Sequence, residues 1–361
     1  MQFLYTPLVL VGVLLVITLV LIVIDKLLGG GGDKMITINQ DTQIPVMGDD
    51  TLLTTLSNEG IHLPSACGGK ATCGACKFRL IDGGDNELKP TEIPLLSKEE
   101  QESGVRLSCQ VKVRGDMKIE IPPGLLSAKE YKTVVEYMED LTYDTKLVRF
   151  RLQNGQTIDF KPGQYAQIKV PGIEITRAYS MASNPKDNTV IEMIIRQVPK
   201  GQATTYVHKA LEVGDKVSLT GPFGHFYLSD TDKEMICIAG GSGKAPIRSI
   251  LSVLKDRNMP RKVKYFFGAK TTKDLYMSEE FMKLQEEFPN FTYIPALSEP
   301  TPEENWTGEV GLITDVVDRL VGDLSDAEAY LCGSPGMIAA CTKVLKKHDI
   351  QDANVFFDKF S

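Results

Sequence analysis

The sequence predicts a multidomain protein in which an N-terminal transmembrane helix, a compact α+β module, an antiparallel β-barrel and an α/β unit on a parallel sheet follow one another. Three observations predict it. No charged residue interrupts the run from Phe3 to Ile24. Between Lys132 and Leu228, short β-branched segments succeed one another, with turns such as Asn154-Gly155 and Lys161-Pro162-Gly163 between them, a density of strands that reads as a barrel. Beyond Leu228 apolar strands alternate with helical stretches, the pattern of a parallel sheet covered by helices. A chain of 361 residues also exceeds one ordinary domain. The expected boundaries are 1–28 for the anchor, 29–33 for a glycine linker, 34–127 for the α+β module, 128–229 for the barrel and 230–361 for the α/β unit.

Roughly twenty apolar residues at 1.5 Å each are about enough to cross a hydrocarbon core, so Phe3 to Ile24 reads as a membrane-spanning helix. A secretory signal fits less well, because Met1-Gln2 lacks a basic n-region and Asp25-Lys26 follows where a small-residue cleavage site would lie. Lys26 and Lys34 come after the helix and nothing basic precedes it, which places the N-terminus outside and everything after Gly29-Gly30-Gly31-Gly32 in the cytoplasm. The expectation is a single-pass protein of the inner (cell) membrane, tied to the lipid bilayer by this helix. No ionisable residue lies within it, so the chain by itself offers no ion path. A net charge of -7 and a pI near 5.3 provide no basic surface for nucleic acid.

In the α+β module, Met35 to Ile38 and Gln43 to Val46 read as a hairpin, and Asp50 can cap a helix from Thr51 to Asn58. Ser97-x-x-Glu100 is a capping box for a short helix that Gly104 can end, and Arg106 to Val113 returns as a strand carrying Cys109. The barrel strands are expected at Leu147 to Leu152, Tyr165 to Val170, Val190 to Ile195 and Lys216 to Leu219. In the last unit the strands are Met235 to Ala239, Val263 to Phe267, Thr292 to Pro295 and Ala329 to Cys332. The helices are Ile247 to Lys255, Ser278 to Glu287, Leu312 to Leu320 and Pro335 to Lys347.

A cytoplasmic placement makes structural disulfides unexpected, so clustered cysteines read as metal ligands or as buried thiols. Cys67, Cys73 and Cys76 form C-x5-C-x2-C, and Cys109 stands apart. Gly68, Gly69 and Gly74, with Ala71 and Ala75, make a loop whose backbone can turn its amides toward sulfur. A structural zinc site also takes four cysteines, usually as two C-x2-C knuckles. Three ligands in one glycine-rich loop favour a 2Fe-2S cluster. Cys237 and Cys341 lie in apolar runs and read as core thiols.

Arg177-Ala178-Tyr179-Ser180 precedes Gly201-Gln202-Ala203-Thr204, where a helix can open. A flavin needs an aromatic for its ring, a hydrogen-bond partner near N5, and positive charge with amide donors for its pyrophosphate. Gly240-Gly241-Ser242-Gly243 falls between a strand and a helix, where glycines let backbone approach a pyrophosphate. Lys244 follows it, but the spacing is not that of a P-loop. Cys332-Gly333-Ser334-Pro335-Gly336 follows the last expected strand, and Phe360 stands beside the C-terminus.

These motifs resemble the ferredoxin-reductase superfamily. Their order, with the anchor, the cysteine pattern of a ferredoxin-like 2Fe-2S domain and the Phe356-Phe357-Asp358-Lys359-Phe360 ending, resembles the family of F subunits of sodium-translocating NADH:quinone reductases. That resemblance implies a barrel that binds FAD, an α/β unit that binds NADH, and Cys67, Cys73, Cys76 and Cys109 as cluster ligands. It implies that Arg177 meets the FAD diphosphate, Tyr179 packs on the isoalloxazine, Ser180 reaches N5 and Thr204 caps the helix opened by Gly201. Gly240, Gly241, Ser242, Gly243, Gly333 and Pro335 would hold the dinucleotide. Cys332 would sit near nicotinamide C4, with Phe360 at the flavin face; a buried strand-end thiol is the competing reading of Cys332. The function implied is transfer from NADH through FAD and the cluster to membrane redox subunits, with quinone as eventual acceptor and sodium transport left to partners. Two alternatives remain at this point: the reductase component of an oxygenase, and a non-enzymatic membrane-tethered electron carrier or scaffold.

Overall fold

The computed structural model describes residues 11–20, 33–85, 87–172 and 175–360. Of the expected anchor, only 11–20 lies among them. This stretch, α1, is helical, with apolar side chains such as Leu15 and Leu19 each 65% exposed. Among the described residues no helix is long and apolar enough to cross a membrane. The rest of the expected span and the four linker glycines lie outside the described residues. The chain divides into two compact units, Met1–Ala128 and Lys129–Ser361.

The first unit is a five-stranded sheet in the order β2-β1-β5-β3-β4. β1 (Asp33–Ile38) and β2 (Thr42–Met47) form the expected hairpin. β5 (Met117–Glu120) runs parallel to β1 and antiparallel to β3 (Lys77–Gly83), which pairs with β4 (Val105–Leu107). Ile36, Ile38, Phe78, Leu107 and Ile119 of the strands are buried, as are Leu52 and Leu56 of α2 (Leu52–Asn58). Thr51, not Asp50, caps α2, its hydroxyl accepting from the Thr54 amide. The capping box of Ser97 and Glu100 starts α3 (Lys98–Glu102) as expected.

Cys109 is not on a strand. β4 ends at Leu107, and the chain turns at once, with Gln110 N–H donating to the Leu107 carbonyl at 2.8 Å. Beyond the turn the chain pairs with the entrance to α2: Leu52 N–H donates to the Val111 carbonyl and Val113 N–H to that of Asp50. The alternating apolar pattern from Arg106 to Val113 therefore reflects two burials separated by a turn, not one strand.

The second unit contains two six-stranded sheets. The antiparallel one has the order β10-β7-β6-β11-β8-β9, from β6 (Lys129–Thr142), β7 (Thr145–Leu152), β8 (Tyr165–Val170), β9 (Ile175–Ser180), β10 (Val190–Arg196) and β11 (Lys216–Phe223). Its edge strands approach at a single antiparallel bridge, Met181 with Met193. The helix after Gly201 is α4 (Gln202–Lys209).

The parallel sheet has the order β15-β14-β13-β12-β16-β17, from β12 (Glu234–Gly240), β13 (Val263–Ala269), β14 (Phe291–Leu297), β15 (Glu309–Val310), β16 (Ala327–Gly333) and β17 (Val355–Lys359). α5 (Lys244–Asp256), α6 (Ser278–Glu287), α7 (Ile313–Leu320) and α8 (Pro335–Lys347) accompany it. Every internal position of β12 and all of β16 is buried, which explains why both read as continuous apolar runs. Strand order reverses between β12 and β16, and a crevice at such a point is where open α/β sheets bind ligands.

Candidate functional site

In the cysteine loop, Gly68 and Gly69 take φ of 65° and 84°, left-handed values that a side chain resists. Ser65 fixes this turn: its carbonyl accepts from Gly68 N–H at 3.0 Å and its hydroxyl from Gly69 N–H at 2.9 Å. The four thiols fall into two pairs. Cys67 and Cys73 sulfurs lie 3.4 Å apart, and Cys76 and Cys109 lie near enough for each to shift the other's thiol. Cys73 donates to Cys67, and the interaction within each pair lowers Cys67 and Cys109 and raises Cys73 and Cys76. Among the described residues no three His, Cys, Asp or Glu side chains gather around one metal position. Two and two is the division that a two-iron group with four cysteines requires, whereas one zinc ion needs all four together. The donor set therefore fits a 2Fe-2S cluster.

A buried ion pair stiffens the second half of this site. Arg106 Nη2 lies 2.7 Å from Glu92 Oε2, and both side chains are almost wholly inaccessible. Burial alone would raise Glu92, but Arg106 and the Leu107 and Lys89 amides more than offset it and hold the carboxyl below its usual range. Glu92 Oε1 also accepts from Leu107 N–H at 2.8 Å, so the carboxylate anchors the chain two residues before Cys109.

In the second unit, Arg177, Tyr179 and Ser180 lie on the edge strand β9. Arg177 donates to the Thr176 carbonyl at 2.8 Å. Tyr179 packs on the core of the antiparallel sheet, and burial pushes its phenol up to about 12. Ser180 donates to Asp358 Oδ2 at 3.2 Å. Asp358, on β17, is raised to about 6 by burial, with the Ser180 hydroxyl opposing the shift. Its register partner on β16 is Cys332, which is opposite Ala239 on β12. Cys332 is fully buried, and burial raises its thiol well above the ordinary range. Phe360 N–H donates to the Gly333 carbonyl at 2.9 Å, bringing the C-terminus to the same strand end.

The glycine loop packs directly against that end. A Cβ on Gly243 would lie 2.2 Å from the Cys332 carbonyl oxygen, so only glycine lets α5 begin there. Gly241 takes φ of 55°. Ser334 caps α8, accepting from Met337 N–H, with Pro335 at the first helical position. Gly201 occupies the cap of α4, whereas Thr204 lies inside the helix. Thr204 braces the preceding turn instead, accepting from Val198 N–H at 3.1 Å and approaching the Gly201 carbonyl at 3.2 Å. The expectation that Thr204 caps this helix is corrected: the cap needs extended backbone one residue before the first helical position, which Gly201 supplies.

Family profiles match three consecutive segments: a 2Fe-2S iron-sulfur cluster binding domain over 36–114, an oxidoreductase FAD-binding domain over 132–227 and an oxidoreductase NAD-binding domain over 237–343. The chain is 35% identical to the F subunit of the Na(+)-translocating NADH-quinone reductase of Neisseria meningitidis, with 96% of each chain covered. The chain belongs to this F-subunit family. The corresponding F subunit of Klebsiella pneumoniae is 34% identical, covering 96% of this chain and 97% of its own. Among solved structures, an Amycolatopsis cytochrome P450 reductase is similar at 29% identity and a TM-score of 0.75, covering 91% of this chain and 98% of that one. The ferredoxin reductase of a carbazole 1,9a-dioxygenase is similar at 26% identity and 0.71, with 91% and 99% covered.

Sequence reasoning missed several residues around the site of this F-subunit chain. Arg196, at the end of β10, pairs with Asp144 at 2.7 Å, and its guanidinium would lie 3.4 Å from a Cβ on Gly241. Tyr276 donates to the Gly241 carbonyl at 2.7 Å. Arg248 on α5 links α6 to the antiparallel sheet, pairing with Glu192 at 2.6 Å and Glu280 at 3.0 Å, while Arg149 holds the other Glu192 oxygen at 2.6 Å. No local pattern marks these residues. Each matters because of what a distant strand brings to it.

Proposed function

We propose that this chain is the electron-input subunit of a membrane-bound NADH:quinone reductase, taking electrons from NADH through FAD to a 2Fe-2S cluster. The observation that carries the reading is the meeting at the sheet reversal: Ser180 from the FAD-binding segment contacts Asp358, whose register partner Cys332 adjoins the glycine loop. When bound, FAD accepts a hydride as a two-electron unit and a 2Fe-2S cluster carries electrons singly. The protein positions and tunes these groups. Tyr179 offers an apolar aromatic face, and Arg177 offers positive charge for a diphosphate. Ser180, donating to Asp358, keeps a hydroxyl oriented beside the proposed flavin N5. Gly240, Gly241, Ser242, Gly243 and Gly333 bring backbone amides to the dinucleotide pyrophosphate, and Pro335 opens the helix whose N-terminus faces it. Cys332 and Phe360 close the nicotinamide side. Cys67, Cys73, Cys76 and Cys109 supply four thiolates in two pairs.

The domain limits proposed are 34–127 for the cluster, 128–229 for an FAD barrel and 230–361 for NADH. The helical, outwardly apolar 11–20 supports an N-terminal membrane anchor, with the redox domains on the cytoplasmic side and membrane subunits as acceptors. Anaerobic stopped-flow of the holoprotein with NADH tests the chemistry: the flavin band should bleach and a reduced-cluster resonance should follow. Purified protein that binds no FAD would sink the reading. The likeness to reductases that serve a P450 and a dioxygenase favours a second acceptor, a soluble oxygenase. Co-purification from membranes with quinone-reducing subunits would exclude it.

A further inference from the structure

Lys244 follows the glycine loop and opens α5, yet the chemistry above leaves it unused. Its side chain is fully buried. The Nζ atom lies 3.7 Å from the ring centroid of Phe267, 4.5 Å from that of Tyr276, 5.1 Å from Phe281 and 5.6 Å from Tyr293. It donates to the Tyr276 carbonyl at 2.5 Å. Glu280, the carboxylate whose field reaches it, is bound to Arg248 at 3.0 Å. A lysine in the first turn of a helix faces the positive end of the dipole, and burial holds its pKa well below the lysine range. Attraction for a ligand's charge therefore does not account for an amine at this place. Its geometry as a hydrogen-bond donor does.

The recipient of that bond reaches back to the loop. Tyr276 is buried, its ring edge-on to Phe267 at 5.7 Å and 83°, and its hydroxyl donates to the Gly241 carbonyl at 2.7 Å. Because a trans peptide is planar, the Gly241 carbonyl and the Ser242 N–H point in opposite directions. Holding the carbonyl against Tyr276 turns the Ser242 N–H to the other side, as a loop that cradles an anion requires. We propose that Lys244 and Tyr276 are positioning residues that set the Gly241-Ser242 peptide for the dinucleotide pyrophosphate: Lys244 holds Tyr276, and Tyr276 holds the loop. This rests on the reading of Gly240 to Gly243 as the dinucleotide loop. Four aromatic rings surround the amine, and its contact with the Tyr276 carbonyl is much shorter than its other one, to the Tyr293 hydroxyl at 3.5 Å.

The test uses holoprotein and four variants, with the Kd for NAD+ by calorimetry, steady-state KM and kcat for NADH with a dye acceptor, and thermal unfolding. Lys244→Met keeps the apolar length and removes the donor. Tyr276→Phe keeps the ring and removes the hydroxyl. Each should weaken NAD+ binding and raise KM about three- to tenfold, the scale of one lost hydrogen bond, with kcat little changed. The double variant should cost no more than the larger single effect, because the residues act in series. Parental affinity in Tyr276→Phe, or full additivity in the double variant, would overturn the relay. If Lys244→Met does not fold, Tyr276→Phe decides alone. Gly243→Ala separates the relay from the loop reading. If it abolishes binding while Tyr276→Phe binds normally, only the relay falls; if the parent binds no NAD+, both fall.

Discussion

The cysteine module and the parallel-sheet unit both hold backbone close to a candidate ligand, by opposite means. In the module, three candidate ligands lie in one loop, 67–76, shaped by left-handed glycines and by Ser65. The fourth arrives on a turn held by the buried Arg106 and Glu92 pair. In the parallel-sheet unit almost nothing is local. Gly243, Cys332, Asp358 and Ser180 come from four separate strands or loops, and strand register and the contact between Ser180 and Asp358 bring them together. A loop site should therefore fail through its ligands and its brace, and a strand-end site through its packing.

Cys73→Ala gives the largest expected effect. It should abolish the reduced-cluster resonance and all cluster-dependent electron transfer, while flavin content and NADH-to-dye activity stay at parental levels. A full cluster signal would show that the thiol pairing is not a ligand set.

Glu92→Gln leaves Arg106 buried without its partner, at a cost of about 3 to 5 kcal/mol. Denaturant unfolding should show the cysteine module melting earlier while the flavin-binding unit keeps its transition. An unchanged module would mean that the brace is incidental.

Gly243→Ala forces a Cβ to within 2.2 Å of the Cys332 carbonyl oxygen, so α5 must shift. Overpacking of this kind costs about 1 to 3 kcal/mol. NAD+ affinity should collapse with the cluster spectrum untouched. Retained affinity would mean that the strand ends have slack that the packing does not suggest.

Asp358 gives the smallest effect, through pH. Burial raises its carboxyl from 3.8 to about 6. A raised carboxyl favours folding fully below the unfolded value, and that contribution is lost as pH rises through about 6. Asp358→Asn should therefore flatten the fall in thermal stability of this unit between about pH 4 and 6 and leave the cysteine module's profile unchanged. A parental slope in the variant would assign the titration elsewhere.

Much of the fold was legible wherever the signal was local. α6 and α8 begin and end where their patterns predict, and the capping box of Ser97 and Glu100 starts α3. The cluster pattern was equally plain, because metal spacing is a property of neighbouring residues. Cys109 was misplaced because apolar alternation runs unbroken through a turn that only pairing with Asp50 and Leu52 reveals. Thr204 was given the cap by the family resemblance, although the backbone gave that position to Gly201. β17 was read as an ending motif and not as a strand, so the Asp358 contact with Ser180 had no sequence signal at all.

By itself the sequence determined the order of the units, the periodicity of most helices and strands, the thiol set and the glycines that let backbone come close. These follow from steric and hydrogen-bonding preferences acting over a few residues. Only the tertiary structure decided that Cys332 is buried opposite Asp358, that Arg248 ties α5 to the antiparallel sheet through Glu192, and that Lys244 turns inward to Tyr276. Those relations depend on strand order and register, which bring together residues dozens of positions apart and, for Ser180 and Asp358, more than a hundred. Hydrophobic burial selects that arrangement for the whole sheet at once, and no local pattern carries it.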